Sequence, residues 1–272
     1  MQLDLERLTH ELKHAPVGHT IDYQHSIPST MPVAHQLALL PTTRSGAIVV
    51  AEEQTAGRGR LERRWEAPLG EAVLVSMILK QPFPIEPLTL PLLAGVATAD
   101  ALLQAVPGLA GQVGLKWPND VLLGNTIHQA QKVAGILLES TLQGGEIQHV
   151  ILGIGINVNQ TVATLPPVPP TAPTPTSLRL FTGQILDRTA ILIALCQSLG
   201  QWLTASSQQL TATWRSRLWT LGQAVNVHEA GESNRVFQGR AVDVTPEGSL
   251  IVEDDNGVQR IFAAGDVSLR AY

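Results

Sequence analysis

Glu52-Glu53-Gln54-Thr55-Ala56-Gly57-Arg58-Gly59-Arg60-Leu61-Glu62-Arg63-Arg64-Trp65 is the stretch on which the reading of this chain turns. It holds four of the 18 lysines and arginines within the seven residues Arg58 to Arg64, although the 272-residue chain has a formal net charge of -5. Positive charge gathered in one loop implies an anionic ligand. Gly57 and Gly59 strip bulk from between the arginines, which lets backbone N–H groups approach a ligand and permits positive φ. A Gly-Arg-Gly-Arg run alone equally describes a solvated basic surface loop, so the flanking sequence has to separate the two. Ala47-Ile48-Val49-Val50-Ala51 before it, and Ala72 to Leu79 behind the turn Pro68-Leu69-Gly70, read as buried strands anchoring a loop that is mobile until a ligand arrives.

Outward from the loop, elements follow in blocks. Leu3, Leu5, Leu8 and Leu12 give residues 1–14 the spacing of one short amphipathic helix, too little for a winged helix-turn-helix. Ser29 or Thr30 stands where a helix cap belongs, ahead of Val33, Leu37 and Leu40. Leu88 to Val106 reads as a helix packed on the sheet. Gly114 to Trp117, Val121 to Leu123, Val133 to Glu139 and His149 to Asn157 read as strands, with Pro118 imposing an extended approach to a turn at Asn119-Asp120. Thr161 to Thr176, which includes Pro169, Pro170 and Thr171, reads as a polyproline-like spacer. Asp187 caps a helix carrying Leu192, Leu195, Leu199, Trp202 and Leu203 on one face, and Trp214, Leu218 and Trp219 belong to a further helix.

From Gly222 the pattern changes to short alternating segments, Ala224 to Val227, Phe237 to Val244, Ser249 to Glu253 and Gln259 to Ala263. The turns between them fall at Glu232-Ser233-Asn234, Pro246-Glu247-Gly248 and Asp255-Asn256-Gly257, a spacing that predicts a small β barrel. Strands linked by short turns with helices in blocks give an α+β fold, not a Rossmann alternation, and Gly153-Ile154-Gly155 lacks the rest of a dinucleotide fingerprint. The expected division is residues 1–221 and 222–272.

Composition narrows the class. Hydrophobic content of 44% with 15% charged residues describes an ordinary globular protein. Cys196 is the single cysteine, which excludes an internal disulfide and a cysteine metal framework, and its apolar neighbours predict an inert buried thiol. Met1 to Lys13 has no signal-peptide core, and no run approaches the roughly 18 apolar residues of a membrane span. The eight histidines show no metal-binding spacing. The acidic balance speaks against specific nucleic-acid binding. A cytoplasmic enzyme, with neither nucleic acid nor membrane as partner, fits this.

Three more stretches follow the Gly-Arg loop: Lys116-Trp117-Pro118-Asn119-Asp120, then Lys132-Val133-Ala134-Gly135-Ile136-Leu137-Leu138-Glu139, then Gly153-Ile154-Gly155-Ile156-Asn157-Val158-Asn159. In this order and at these intervals the four closely resemble biotin protein ligase, also called biotin-[acetyl-CoA carboxylase] ligase, from about Ser29 to the end of the chain. The terminal Gly265-Asp266-Val267-Ser268-Leu269-Arg270 is similar to the Gly-Glu-Val-Ser segment of that family's last domain, with Asp in place of Glu. The resemblance implies a class II aminoacyl-tRNA synthetase-like catalytic domain, a mixed sheet with helices, followed by an SH3-like β barrel. It is to the ligase-only kind, without the DNA-binding head that some members carry. It also implies biotin and ATP as substrates, Mg2+ brought by the nucleotide, a biotin carboxyl carrier protein of acetyl-CoA carboxylase as acceptor, and a monomer or homodimer.

Activating a carboxylate with ATP brings two anions together, work suited to arginine forks and a lysine. By resemblance Lys132, Arg58 and Asp120 are catalytic, with Arg58 on the carboxylate and α-phosphate, Lys132 bridging the two, and Asp120 orienting the acceptor amine. Ser29, Thr30, Gln54, Gly57, Arg58, Gly59, Arg60, Lys132 and Gly135 are expected at biotin. Arg58, Arg60, Arg63, Trp65, Lys116, Asn119 and Asn157 are expected at ATP, although Trp65 by itself reads as loop or core packing. Ala67 stands where relatives often have Ser, two extra residues lie between Thr30 and Gly46, and the proline-rich insertion is unusual. Competing readings are a lipoate protein ligase, which shares the fold, and a non-enzymatic biotin-sensing regulator.

Overall fold

The computed structural model describes residues 2–60, 63–168, 172–228 and 236–269. Leu61, Glu62, the Pro169-Pro170-Thr171 segment, the expected turn at Glu232-Ser233-Asn234 and Arg270 lie outside the described residues. The larger sheet is built from β1 (Ile21–Ile27), β2 (Ile48–Gln54), β3 (Ala72–Lys80), β4 (Val113–Lys116), β5 (Asp120–Leu123), β6 (Gln131–Gln143) and β7 (Glu146–Asn157). Its order is β1-β2-β3-β7-β6-β5-β4. Only β1 with β2 is parallel among these ladders, so the sheet is mixed, as expected.

Alternation along the strands assigns the two faces. Ile48 and Val50 of β2, with Val73, Val75, Met77 and Leu79 of β3, enter the main core. That core is closed by α3 (Leu90–Ala105), α5 (Arg188–Trp202) and α6 (Ser207–Arg217), with α1 (Leu5–Leu12) at one edge. Ala47, Val49, Ile78 and Ile151 face the other way, onto α2 (Thr30–Ala38). That helix has only 9 residues and covers part of its face. The remainder of that face is floored by Gly135, Gly153 and Gly155, whose missing side chains leave room for a cavity.

Two expectations need correction here. The stretch Pro87–Ala105, 19 residues, is long and apolar enough by composition to cross a membrane. It is apolar nearly all round because it lies between α5, α6 and the sheet. Helix α6 ends at Arg217 with Leu218 as its C-cap, so Trp219 is outside it. The Trp219 amide donates to the Leu115 carbonyl at 2.9 Å, and its ring lies where a Cβ on Gly114 would come within 2.1 Å. Trp219 thus packs over Gly114 of the larger sheet instead of extending a helix.

The end of the proline-rich segment, residues 172–176, is more than a spacer. Thr174 O accepts from the Lys132 amide and the Thr176 amide donates to Lys132 O, both at 2.8 Å, which runs the segment alongside the start of β6. It then enters α4 (Leu178–Thr182), whose N-cap Ser177 is fully buried. Beyond α6, β8 (Ala224–His228), β9 (Val236–Val244), β10 (Leu250–Glu253), β11 (Gln259–Phe262) and β12 (Asp266–Leu269) form a five-stranded antiparallel sheet, order β11-β10-β9-β8-β12. It docks on the larger sheet through Trp117, whose amide donates to Thr220 Oγ1 at 3.0 Å and whose ring N–H donates to Gly248 O at 2.9 Å.

Candidate active site

A cavity of about 370 Å³ opens between the glycine floor, the Gly-Arg loop, the proline-rich segment and the tip of the C-terminal sheet. Every residue expected at the site except Gly57 lines it. Gly57 lies beneath the loop, where its carbonyl accepts from the Trp65 amide at 2.9 Å and a Cβ would meet Trp65 O at 2.3 Å. Neither Gly57 nor Gly59 takes a positive φ, so close approach of the loop's two limbs is what requires glycine there.

One end of the cavity is small, neutral and hydrogen-bonded. Ser29 caps α2, and the Thr30 amide and hydroxyl both donate to Gln54 Oε1, at 2.8 and 3.0 Å. The Thr30 hydroxyl also shares a 2.7 Å hydrogen bond with Ser76, which is fully buried in the middle of β3. The expected cap and the expected site residue are therefore one arrangement. Ser76 had no motif to mark it; a lone hydroxyl inside the apolar run Ala72 to Leu79 was its only signal.

Trp65 lies across the floor. A Cβ on Gly155 would come within 2.4 Å of its ring and one on Gly135 within 2.8 Å. The packing expected of Trp65 is thus packing on the cavity itself. Strand register pairs Ser76 with Gly153 and Gly135 with both Gly155 and Asp120, so the indole separates the Thr30 end from the Asp120 end.

The second end is charged. Lys132 Nζ pairs with Asp120 Oδ1 at 2.5 Å and stands 5.6 Å from the Trp65 ring centroid, within cation–π range. Strict alternation from Gly135 would turn Lys132 toward the core. A register shift at this point of β6 lets Val133 and Ala134 both enter the core and returns Lys132 to the cavity face. Asn119 is locked by Ile136, accepting from its amide and donating to its carbonyl, and its Oδ1 accepts from Arg60 at 3.3 Å. The Trp117-Pro118 bond leading into this turn is cis, not the extended approach expected.

Lys116 is 8% exposed and has no ion pair within 4 Å among the described residues. Burial pushes its ammonium below the usual lysine range, against the attraction of Asp120; burial also lowers Arg60. Lys116, Lys132, Arg60 and Arg63 therefore outnumber the two carboxylates that act on them, Asp120 and Asp266, an excess of positive charge that an anionic ligand would balance.

Three of the four loop arginines go to different partners. Arg60 reaches the Asp120 end, Arg63 pairs with Asp266 of β12, and Arg58 points to Glu139 of β6, 3.5 Å away. It is thus Arg60, not Arg58, that lies toward Lys132. The Asn157 amide is spent on the fold: Nδ2 donates to Thr176 O and Oδ1 accepts from Gln160, both at 2.9 Å, tying the proline-rich segment to the end of β7. Pro173, Pro175, His228 and Ser268 also line the cavity, and of these only Ser268 lies in a motif that the sequence marked. Among the described residues no cluster of three or more His, Cys, Asp or Glu offers a metal site. Cys196 is buried and its thiol pushed up to about 12 by burial, the inert group expected.

Comparison with known proteins gives concordant matches. A model of the biotin/lipoate A/B protein ligase family matches residues 23–157, and one of the biotin protein ligase C terminal domain matches residues 220–270. The bifunctional ligase/repressor BirA of Bacillus subtilis is 34% identical over 264 residues, which is 95% of this chain and 76% of that protein. The biotin--[acetyl-CoA-carboxylase] ligase of Paracoccus denitrificans is 34% identical over 236 residues, 85% of this chain and 94% of the relative. Among solved structures, biotin protein ligase from Aquifex aeolicus in complex with biotin and ATP matches with a TM-score of 0.71 at 28% identity, over 93% of this chain and 99% of its own.

Proposed function

This chain belongs to the biotin protein ligase family, and from that premise we infer that it activates biotin with ATP as biotinyl-5'-AMP and transfers the biotinyl group to a lysine of a biotin carboxyl carrier protein. A biotin carboxylate oxygen attacks the α-phosphorus, the bond to pyrophosphate breaks, and pyrophosphate leaves. The acceptor amine then attacks the acyl carbon, the bond to AMP breaks, and the amine gives up a proton. The observation that carries this reading is one cavity with a neutral hydrogen-bonding end at Thr30 and Gln54 and a cationic end at Lys132, Arg60 and Lys116.

In this reading Ser29, Thr30 and Gln54 hold the ureido ring and Trp65 covers it, with Gly59 and Gly135 leaving room. Lys132 and Arg60 meet the acyl phosphate, taking the task first expected of Arg58, and stabilise charge as it develops there. Lys116 and Arg63 face the remaining phosphates, while Asn119 and Asn157 act by holding Arg60 and the proline-rich wall. Asp120, once Lys132 turns to the acyl phosphate, is placed to take the acceptor's proton. Mg2+ would enter with ATP as its complex. Residues 1–221 form the catalytic part and 222–272 a second part whose β12 supplies Asp266 to the cavity. A carrier of the acetyl-CoA carboxylase type and a cytoplasmic location belong to the same proposal.

The test is incubation with biotin, Mg-ATP and a biotin carrier domain, read by streptavidin blotting. A labelled carrier is expected, and an unlabelled one refutes the assignment. Lipoate in place of biotin should bind weakly by calorimetry; tight lipoate binding without biotin binding would favour the other ligase.

A further inference from the structure

Glu139 has no part in the reaction as described, yet among the described residues it is the one carboxylate of the larger sheet within 4 Å of a Gly-Arg loop arginine. Strand β6 pairs with β5 only as far as Gly135, so its second half continues past the cavity. Alternation from Gly135 through Leu137 puts Glu139 on the cavity face, under Arg58. Glu139 Oε1 is 3.5 Å from Arg58 Nη1, and Oε2 is 3.0 Å from His35 Nε2. His35 Nδ1 is in turn 3.0 Å from His149 Nε2, with the two rings edge to face at 5.2 Å. Burial, with His35 and Lys80 nearby, pushes His149 down, so it serves as a neutral hydrogen-bonding ring.

His35 stands on α2, the helix whose first turn carries Thr30, and His149 on β7 beside the glycine floor. The carboxylate is therefore oriented from two elements that also build the cavity. Across the loop, Arg63 is held by Asp266. The two limbs of the loop are clasped at separate points, one on the sheet and one on the C-terminal domain.

We propose that Glu139, oriented by His35, is a positioning residue that docks the Gly-Arg loop through Arg58 and keeps it closed over the acyl adenylate until the acceptor lysine arrives. This rests on reading the cavity as an adenylate site. An acyl phosphate is a reactive mixed anhydride; if the loop opens early, water attacks the acyl carbon, the bond to AMP breaks, and biotin and AMP are released. Loosening the dock should raise AMP formed per carrier labelled, while damage to the fold lowers both together.

The experiment measures that ratio with biotin, Mg-ATP and a carrier domain for the wild type, Glu139→Gln, His35→Ala and His35→Gln. The wild type should give a ratio near one. Because a half-exposed ion pair contributes little, Glu139→Gln should raise the ratio about twofold to fivefold, and His35→Ala less. His35→Gln, which keeps a donor for Glu139, should restore the wild-type ratio. An unchanged ratio in Glu139→Gln, or a fall of both quantities at constant ratio, overturns the proposal. Should Glu139→Gln fail to fold, His35→Ala decides in the same way. Failure of the wild type to label the carrier at all would strike the functional reading instead.

Discussion

Lys132 Nζ lies 2.5 Å from Asp120 Oδ1, each near the start of its own strand and both on the cavity face. The two neutralise one another, so the lysine reaches an incoming carboxylate and phosphate only by leaving the aspartate. On the proposed reading the ion pair divides the reaction, with Lys132 serving adenylate formation and Asp120 becoming available for transfer. Lys132→Ala should slow adenylate formation by about a hundredfold or more, the scale of losing one preorganised charge donor, with biotin affinity changed only a few-fold. Pyrophosphate exchange and calorimetry measure the two quantities. Equal losses in both would make Lys132 a substrate clamp only. Asp120→Asn should instead slow transfer from preformed adenylate more than its formation, a difference single-turnover kinetics can read.

Gly155 tests the floor. A Cβ there falls 2.4 Å from the Trp65 indole, far inside contact distance, so Gly155→Ala must displace the ring. Overpacking of this kind costs about 1–3 kcal/mol. Part of that should appear as a biotin affinity lowered about tenfold, because the indole lies between the two ends of the cavity. Trp65→Ala combined with Gly155→Ala should cost less than the sum of the single changes. Strict additivity in the measured Kd values would show that the ring and the floor act independently.

Much of this was legible in one dimension. Nearly continuous apolar runs marked β2, β3 and β7 because both faces of those strands are buried, and Ser29 and Asp187 marked helix starts because each accepts a backbone N–H. The motif residues converge on one cavity as expected. What the sequence left open depended on contacts distant along the chain. Which arginine faces which end is decided by Asn119, Asp266 and Glu139, and alternating Arg and Gly look alike until those partners are in place. The proline-rich run seemed a spacer because polyproline has no internal hydrogen bonds; its partner is the backbone of Lys132. Trp219 matched a helical spacing by accident, and only the gap over Gly114 shows where it goes.

Lys116 gives the reaction a pH signature. Burial lowers its folded-state proton affinity below that of an unfolded lysine. Between the two pKa values the unfolded chain holds more protons, so the cost of burying the ammonium, present below the folded value, is relieved as pH rises through it. Binding runs the other way: on the proposed role of Lys116 at phosphate, its ammonium is lost at lower pH than an ordinary lysine's, and KM for ATP should begin to climb below the usual lysine range. Lys116→Arg, always charged, should flatten that rise. A KM profile that is the same for both proteins would show that Lys116 does not meet the nucleotide.

Glu52 and Arg188 form a buried pair at 2.6 Å, with side chains 2% and 3% exposed, directly behind the Gly-Arg loop. Arg188 also donates to Ala72 O at 2.9 Å, so it joins α5 to both strands that carry the loop. Glu52 Oε1 accepts from the Leu3 amide at 2.7 Å and from the Tyr23 hydroxyl at 3.3 Å, which brings the amino-terminal segment and β1 into the same network. Arg188→Met would leave the Glu52 carboxylate buried with only those neutral donors. Breaking one partner of such a pair costs about 3–5 kcal/mol, and replacing both by apolar residues of similar volume costs far less because no uncompensated charge remains. Urea unfolding should therefore show Arg188→Met much less stable than the double variant Glu52→Leu with Arg188→Met. Since the network ends two residues before Gln54, Arg188→Met should also weaken biotin binding under conditions where the protein is still folded. A single variant as stable as the double one would mean that the pair is solvated in solution, and that the loop is held by its own contacts alone.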